Sequence, residues 1–229
     1  MARYPSRKKS GTGDSPAGDA GPGKRSPRAA ARNLSPQAAS PLSGTPSLTG
    51  HFLIAMPGMG DPNFARGITF ICQHSDEGAM GLVINRLSDY KLGDVLRQMQ
   101  MPCERADVAA TPVLMGGPVQ PERGFVLHAL GDREWESSYH VDDSLGVTTS
   151  RDILTAMADG DGPQRALVTL GYAGWGAGQL EQELRDNAWL TVPADTRILF
   201  DTALDERWSA ALGLVGINPA NLTSYSGRA

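Results

Sequence analysis

Only two cysteines, Cys72 and Cys103, occur in this chain of 229 residues. They make neither a Cys-x-x-Cys pair nor a Cys/His ligand spacing. That argues for a reduced, cytoplasmic setting, with Cys72, inside an apolar run, read as a small buried hydrophobe. No apolar run approaches the roughly 20 residues that a membrane-spanning helix needs, so no membrane association is expected. The basic N-terminus lacks an apolar stretch of about 7–15 residues and is not read as a secretory signal. His51, His74, His128 and His140 are scattered, without His-x-x-x-His, His-Glu-x-x-His or a facial carboxylate pattern, and no metal is expected. A Gly-x-Ser-x-Gly elbow is missing too. No internal repeat is visible. No cofactor and no catalytic residue is therefore expected, and the chain does not read as an enzyme.

What is present is an uneven charge. Residues 1–47 hold eight basic residues against Asp14 and Asp19, a balance of +6; the remainder, with 13 basic and 23 acidic residues, carries −10. An acidic body is poorly suited to tracking phosphates. Nucleic acid is expected to bind, if at all, only through the basic tail. That tail contains seven prolines and six glycines, and beyond Met1 its only large apolar residues are Tyr4, Leu34 and Leu42. Such a segment buries too little to offset its ordering entropy, so residues 1–47 are expected to be a disordered tail and 48–229 the globular domain. A transit peptide is a weaker alternative, since no amphipathic helix appears.

Within the globular part, strands are predicted over 51–56, 67–73, 79–85, 113–115, 124–130, 165–170, 189–192 and 197–200. The second and third form a hairpin about a turn at 75–78. Helical spacing joins Leu92, Val95, Leu96 and Met99. Thr149 with Asp152 resembles a capping box that opens a helix ending near Gly160. A helix is predicted over 178–187, and a last one carries Trp208, Ala211, Leu212 and Val215 on one stripe. The mixture lacks strict β-α-β alternation, which favours an α+β fold over a doubly wound sheet.

Three places invite a functional reading. Gly171, Gly174, Gly176 and Gly178 lie between a predicted strand and helix, where free N–H groups could attract an anion. The spacing is neither GxGxxG nor GxxxxGK[ST], Trp175 would fill the phosphate space, and Glu181 and Glu183 would repel an anion. Tight strand-to-helix packing around an anchored Trp175 is favoured. Asp61, in the loop after the first strand, could be a ligand or base, but Asp61-Pro62-Asn63 reads more readily as turn chemistry. His74, Asn85 and Arg86 stand at the ends of the two hairpin strands and could lie together, binding an anion or polarising a carbonyl, or else merely satisfy turn backbone. With Trp175 and Gln179 these make the candidate surface site: Asp61, His74, Asn85, Arg86, Trp175 and Gln179. His128, in an apolar strand, reads as a core histidine. The paired Gly116 and Gly117 read as a strand–turn–strand connection that needs only backbone freedom.

Taken in order, several segments resemble the YqgE/AlgH family of bacterial proteins over about residues 48–229. They are Gly50-His-Phe-Leu-Ile-Ala-Met-Pro57 with Asp61 and Phe64, then His74 with Gly78-Ala-Met-Gly-Leu-Val-Ile-Asn85. Gly116-Gly-Pro-Val119, Arg123-Gly-Phe-Val-Leu-His128, Ala173-Gly-Trp-Gly176, Gly178-Gln-Leu-Glu181 and Trp189 follow. Phe200, Arg207-Trp208, Leu212-Gly213 and Gly227 complete the set. Leu87 stands where many members have proline, and the tail at 1–47 is outside the pattern. The resemblance implies an α+β fold, a small closed barrel-like sheet surrounded by helices in one globular domain. It implies little about activity, though one branch carries a transcriptional-regulator label. The resulting expectation is a non-catalytic binding or regulatory module that acts through a protein partner. The alternative is a small-molecule or nucleotide site, or an enzyme, built from Asp61, His74, Asn85 and the 174–179 loop, which requires those loops to converge in one pocket.

Overall fold

The strand β1 (His51–Ala55) is apolar along almost its whole length because it is covered on both faces. Phe52 and Ile54 enter one core cluster, Leu53 and Ala55 another, as alternation along a strand demands. β1 lies between β2 (Ile68–Ser75) and β10 (Trp189–Pro193), antiparallel to both. The hairpin partner of β2 is β3 (Gly78–Val83), as the sequence predicts. This computed structural model describes residues 46–218, which fall in one compact unit. Apart from its last two residues, the expected tail at 1–47 lies outside them.

The remaining elements are β4 (Leu87–Lys91), α1 (Leu92–Gln98), α2 (Ala106–Ala109), β5 (Pro112–Met115), β6 (Val119–Ala129), β7 (Ser138–His140) and β8 (Leu145–Thr148). They continue with α3 (Arg151–Asp159), β9 (Ala166–Gly176), α4 (Gln179–Arg185), α5 (Thr196–Phe200) and α6 (Arg207–Leu214). One mixed sheet runs β10, β1, β2, β3, β9, β6, β8, β7, with β5 also on β9 and β4 on β5. The α+β class therefore holds. The expected closed barrel does not: among the described residues β10 pairs only with β1, and β7 only with β8, so the path is open at both ends. The core lies in three clusters, one under α5 and α6, one between the sheet and α1 with α3, and one beneath α4. No helix among the described residues is long and apolar enough to cross a membrane.

Several local readings need correction. Residues 197–200 are not a strand but the helix α5: the Asp195 carboxylate accepts the Arg197 N–H at 2.8 Å and caps it. A four-residue apolar run carries no period that could separate the two. α3 begins after Ser150, not Thr149, whose N–H bonds to Ser137 instead. The Asp152 carboxylate takes the Ser150 hydroxyl and the Glu136 N–H, tying the helix to the segment before β7. β5 and β6 are not paired with each other; each pairs with β9, which runs through the whole glycine-rich stretch to Gly176. At Gly171 β9 exchanges its partner β5 for β3. There Gly116 and Gly171 need the absence of a side chain and not only freedom. A Cβ on Gly116 would stand 2.3 Å from the Gly171 carbonyl oxygen, and one on Gly171 2.4 Å from that of Gly117.

Candidate functional site

Of the six residues singled out by the sequence, His74, Trp175 and Gln179 come together, Asn85 and Arg86 lie in a second place, and Asp61 stands apart in a local turn. His74 and Trp175 are buried, at the end of the sheet capped by α4. His74 Nδ1 accepts the Leu48 N–H at 3.0 Å, and Nε2 lies 2.7 Å from the Glu181 carboxylate. Nδ1 is thus unprotonated and Nε2 is the donor. Partial burial pushes the Glu181 carboxyl up, but hydrogen bonds from its own N–H and from His74 outweigh it and hold it below the usual range. The indole N–H groups of Trp175 and Trp189 both donate to one Glu183 oxygen, at 2.9 and 2.8 Å, and Gln179 donates to the other at 3.0 Å. Gln179 also accepts the Gly176 N–H at 3.1 Å. Phe64 closes the aromatic set, with ring centroids 5.4 Å from Trp189 and 6.3 Å from Trp175.

Glu181 and Glu183 are therefore acceptors for His74 and two indoles. The sequence placed them only as charges that would repel an anion. Every polar atom of the trio His74, Trp175 and Gln179 that could face a ligand is engaged within the protein, so this corner serves as a clasp between α4 and the sheet. Asp61 is exposed and accepts the Asn63 N–H at 2.8 Å, which is a local turn.

Asn85 and Arg86 are elsewhere. In an antiparallel hairpin the end of one strand meets the start of the next. His74 lies opposite Ala79, whereas the Asn85 carboxamide accepts the N–H of Ile68, at the other end of β2. Six residues of extended chain, roughly 20 Å, separate the two ends. Side chains do not simply alternate along β2, because the register shifts between Ile71 and Gln73. Cys72 packs with Phe52 and Ile54, while His74 meets α4. Burial pushes the Cys72 thiol far above its ordinary value, which leaves it unreactive. Asn85 and Arg86 instead line a second cavity of about 280 Å³ with Arg66, Asp205 and Trp208.

A further cavity was not foreseen. It encloses about 600 Å³ between α1, α3 and the sheet, and its walls include Tyr90, Met99, Pro121, Phe125, Thr148 and Leu154. Tyr90 is 53 % exposed, and Leu87 and Met115, on the adjoining strands, are 59 % and 47 % exposed. Among the described residues β4 pairs only with β5, and in an irregular register, so no described strand covers its other edge. The one sequence signal was Leu87, an apolar residue in a polar setting; the cavity itself joins residues more than sixty positions apart.

Comparison with known proteins agrees with this architecture. The AlgH-like family model matches residues 52–220. A UPF0301 protein of Xanthomonas campestris pv. campestris is 54 % identical over 182 residues, which is 80 % of this chain and 96 % of that protein. A UPF0301 protein of Stenotrophomonas maltophilia is 54 % identical over 181 residues, 79 % and 96 % of the two chains. Among solved structures, the solution structure of AlgH from Pseudomonas aeruginosa matches with a TM-score of 0.67 at 48 % identity, over 84 % of this chain and all of that one. A crystal structure from Corynebacterium diphtheriae shares the fold, with a TM-score of 0.59 at 21 % identity, over 81 % and 94 % of the two chains.

Proposed function

Since this chain belongs to the AlgH-like family, we propose that it is a non-catalytic cytoplasmic binding module that docks a protein partner against β4. The observation that carries this reading is the β4 edge that no strand of the described residues covers, with Tyr90 on the wall of the 600 Å³ cavity and Leu87 and Met115 exposed on β4 and β5. A free edge offers unpaired backbone N–H and C=O groups to an extended segment, and the cavity offers room for that segment's apolar side chain. An acidic body of net −10 favours a polypeptide over a nucleic acid on this surface. Any transcriptional effect is then indirect, exerted through the partner. The alternative site built from Asp61, His74, Asn85 and residues 174–179 lacks this support, because those residues do not converge.

The test is affinity capture from native cytoplasm with the full chain, beside Tyr90→Lys and Leu87→Lys variants. A stoichiometric polypeptide held by the wild type and lost from both variants is the expected result. A partner held equally by all three removes β4 as the docking edge. Nucleic acid released by modest salt, and held only when residues 1–47 are present, would replace this reading with one centred on the tail.

A further inference from the structure

Two arginines, Arg66 and Arg86, line the cavity with Asn85, and Arg207 lies close by, bonded to the Ile84 carbonyl; none of the three makes an ion pair among the described residues. Arg86 donates from Nη2 to the Ala65 carbonyl at 2.6 Å, and its Nε is buried without a partner there. Arg66 lies with its guanidinium 4.9 Å from the Trp208 ring centroid, and its φ of 55° is unusual for a residue with a side chain. Arg207 is 4 % exposed and donates only to carbonyls, Ile84 at 2.5 Å and Thr202 at 3.1 Å. Desolvation alone lowers its pKa to about 10, so no neighbouring carboxylate compensates its charge. Asp205 is the single carboxylate on the cavity wall, and it pairs with no arginine among the described residues.

Partly buried cations with carbonyl partners alone carry an uncompensated desolvation cost. The surrounding groups hold this arrangement in place instead of relieving it. Asn85 is committed at both ends of its amide, to the Ile68 N–H and the Arg66 carbonyl, and so fixes the backbone that presents Arg66 and Arg86. Trp208 is anchored through its indole N–H to the Ala55 carbonyl at 3.0 Å, which fixes the ring beneath Arg66. The fixed scaffold leaves the Arg86 Nε as an unused, buried donor on a side chain that lines a cavity of about 280 Å³.

We propose that this cavity is a binding site for a small oxyanion ligand, a carboxylate or phosphate monoanion or dianion, held by Arg66 and Arg86 with Trp208 as its apolar wall. The guanidinium fork suits both oxyanions, because two parallel N–H donors match two oxygens. Arg207, bonded to the carbonyl of the residue before Asn85, adds charge nearby without lining the cavity. The volume admits a metabolite of few atoms and excludes a polymer.

The experiment is a titration of the ¹⁵N-labelled full chain at constant ionic strength, with inorganic phosphate, with acetate and with chloride. The Arg86 Nε–H and Trp208 indole N–H signals are the readout. Saturable shifts at both, with phosphate or with acetate, are expected, and the more effective ion identifies the ligand's headgroup. Arg86→Lys keeps the charge but loses the fork, and about a tenfold weaker affinity is expected. Arg66→Gln, at an exposed position that cannot endanger the core, is expected to weaken binding severalfold and to leave the Arg86 signal in place. Shifts that never saturate, or that chloride reproduces, overturn the assignment, as does binding that both variants retain.

Discussion

At the level of single residues, the acceptor Glu183 is the key member of the α4 clasp. Trp175 and Trp189 are 6 % and 4 % exposed, and removing the shared carboxylate strands two buried indole N–H groups. Glu183→Ala is expected to lower stability by about 2–4 kcal/mol, against about 1 kcal/mol for Glu183→Gln, which keeps an acceptor. Urea unfolding measures both; equal losses would mean that the indoles are satisfied without residue 183. His128 supplies a pH dependence. It is buried, meets the Thr148 hydroxyl at 2.9 Å, and burial lowers its pKa from 6.5, helped by His140 and opposed by the Ala129 carbonyl. The folded protein thus favours neutral His128, while the unfolded chain takes up a proton below 6.5. Stability from this source is present above 6.5 and is lost as pH falls towards the folded value. His128→Gln should flatten the unfolding midpoint between about pH 7.5 and pH 5.5, and an unchanged slope would exclude His128 as its origin. Both roles depend on partners far along the chain. The apolar strand signalled a core histidine, but nothing local announced Glu183 as an acceptor for two tryptophans.

At the level of elements, β9 decides the architecture. It takes β5 and β6 on its first half and β3 on its second, and the switch occurs where Gly116, Gly117 and Gly171 cross at backbone contact. Gly116→Ala should cost more than about 2 kcal/mol, because backbone cannot yield as a side-chain tip can. Gly124→Ala, where nothing lies within 4 Å, should stay within about 0.5 kcal/mol. Thermal unfolding of the pair gives the comparison, and a neutral Gly116→Ala would show that the crossing relaxes. The sequence offered a glycine-rich loop here because glycines are usually punctuation. Glycine serves equally where two backbones approach, and single-chain pattern cannot separate those uses. The same limit applies to residues 197–200, where the cap at Asp195 overrode a short apolar run.

At the level of the whole molecule, the open sheet exposes what a closed barrel would have hidden. Leu87 and Tyr90 sit on a strand with one partner among the described residues, and their side chains are more than half exposed instead of packed into the core. Leu87→Lys and Tyr90→Lys should therefore leave stability within about 0.5 kcal/mol of the wild type by urea unfolding. A larger loss would mean that β4 is part of the core and a poor docking edge.

The order of local patterns was enough to determine the α+β class, most strands of the β1–β2–β3 region, the amphipathic helices and the family. Those properties come from apolar spacing and turn residues within a few positions, which a sequence carries explicitly. Tertiary structure alone decided that the sheet stays open, that Asn85 and His74 stand at opposite ends of one hairpin, and that Arg66, Arg86 and Arg207 share one neighbourhood. Each of those depends on which strands pair and in what register. Pairing free energy is summed over residues scattered through the chain, so no local window contains it.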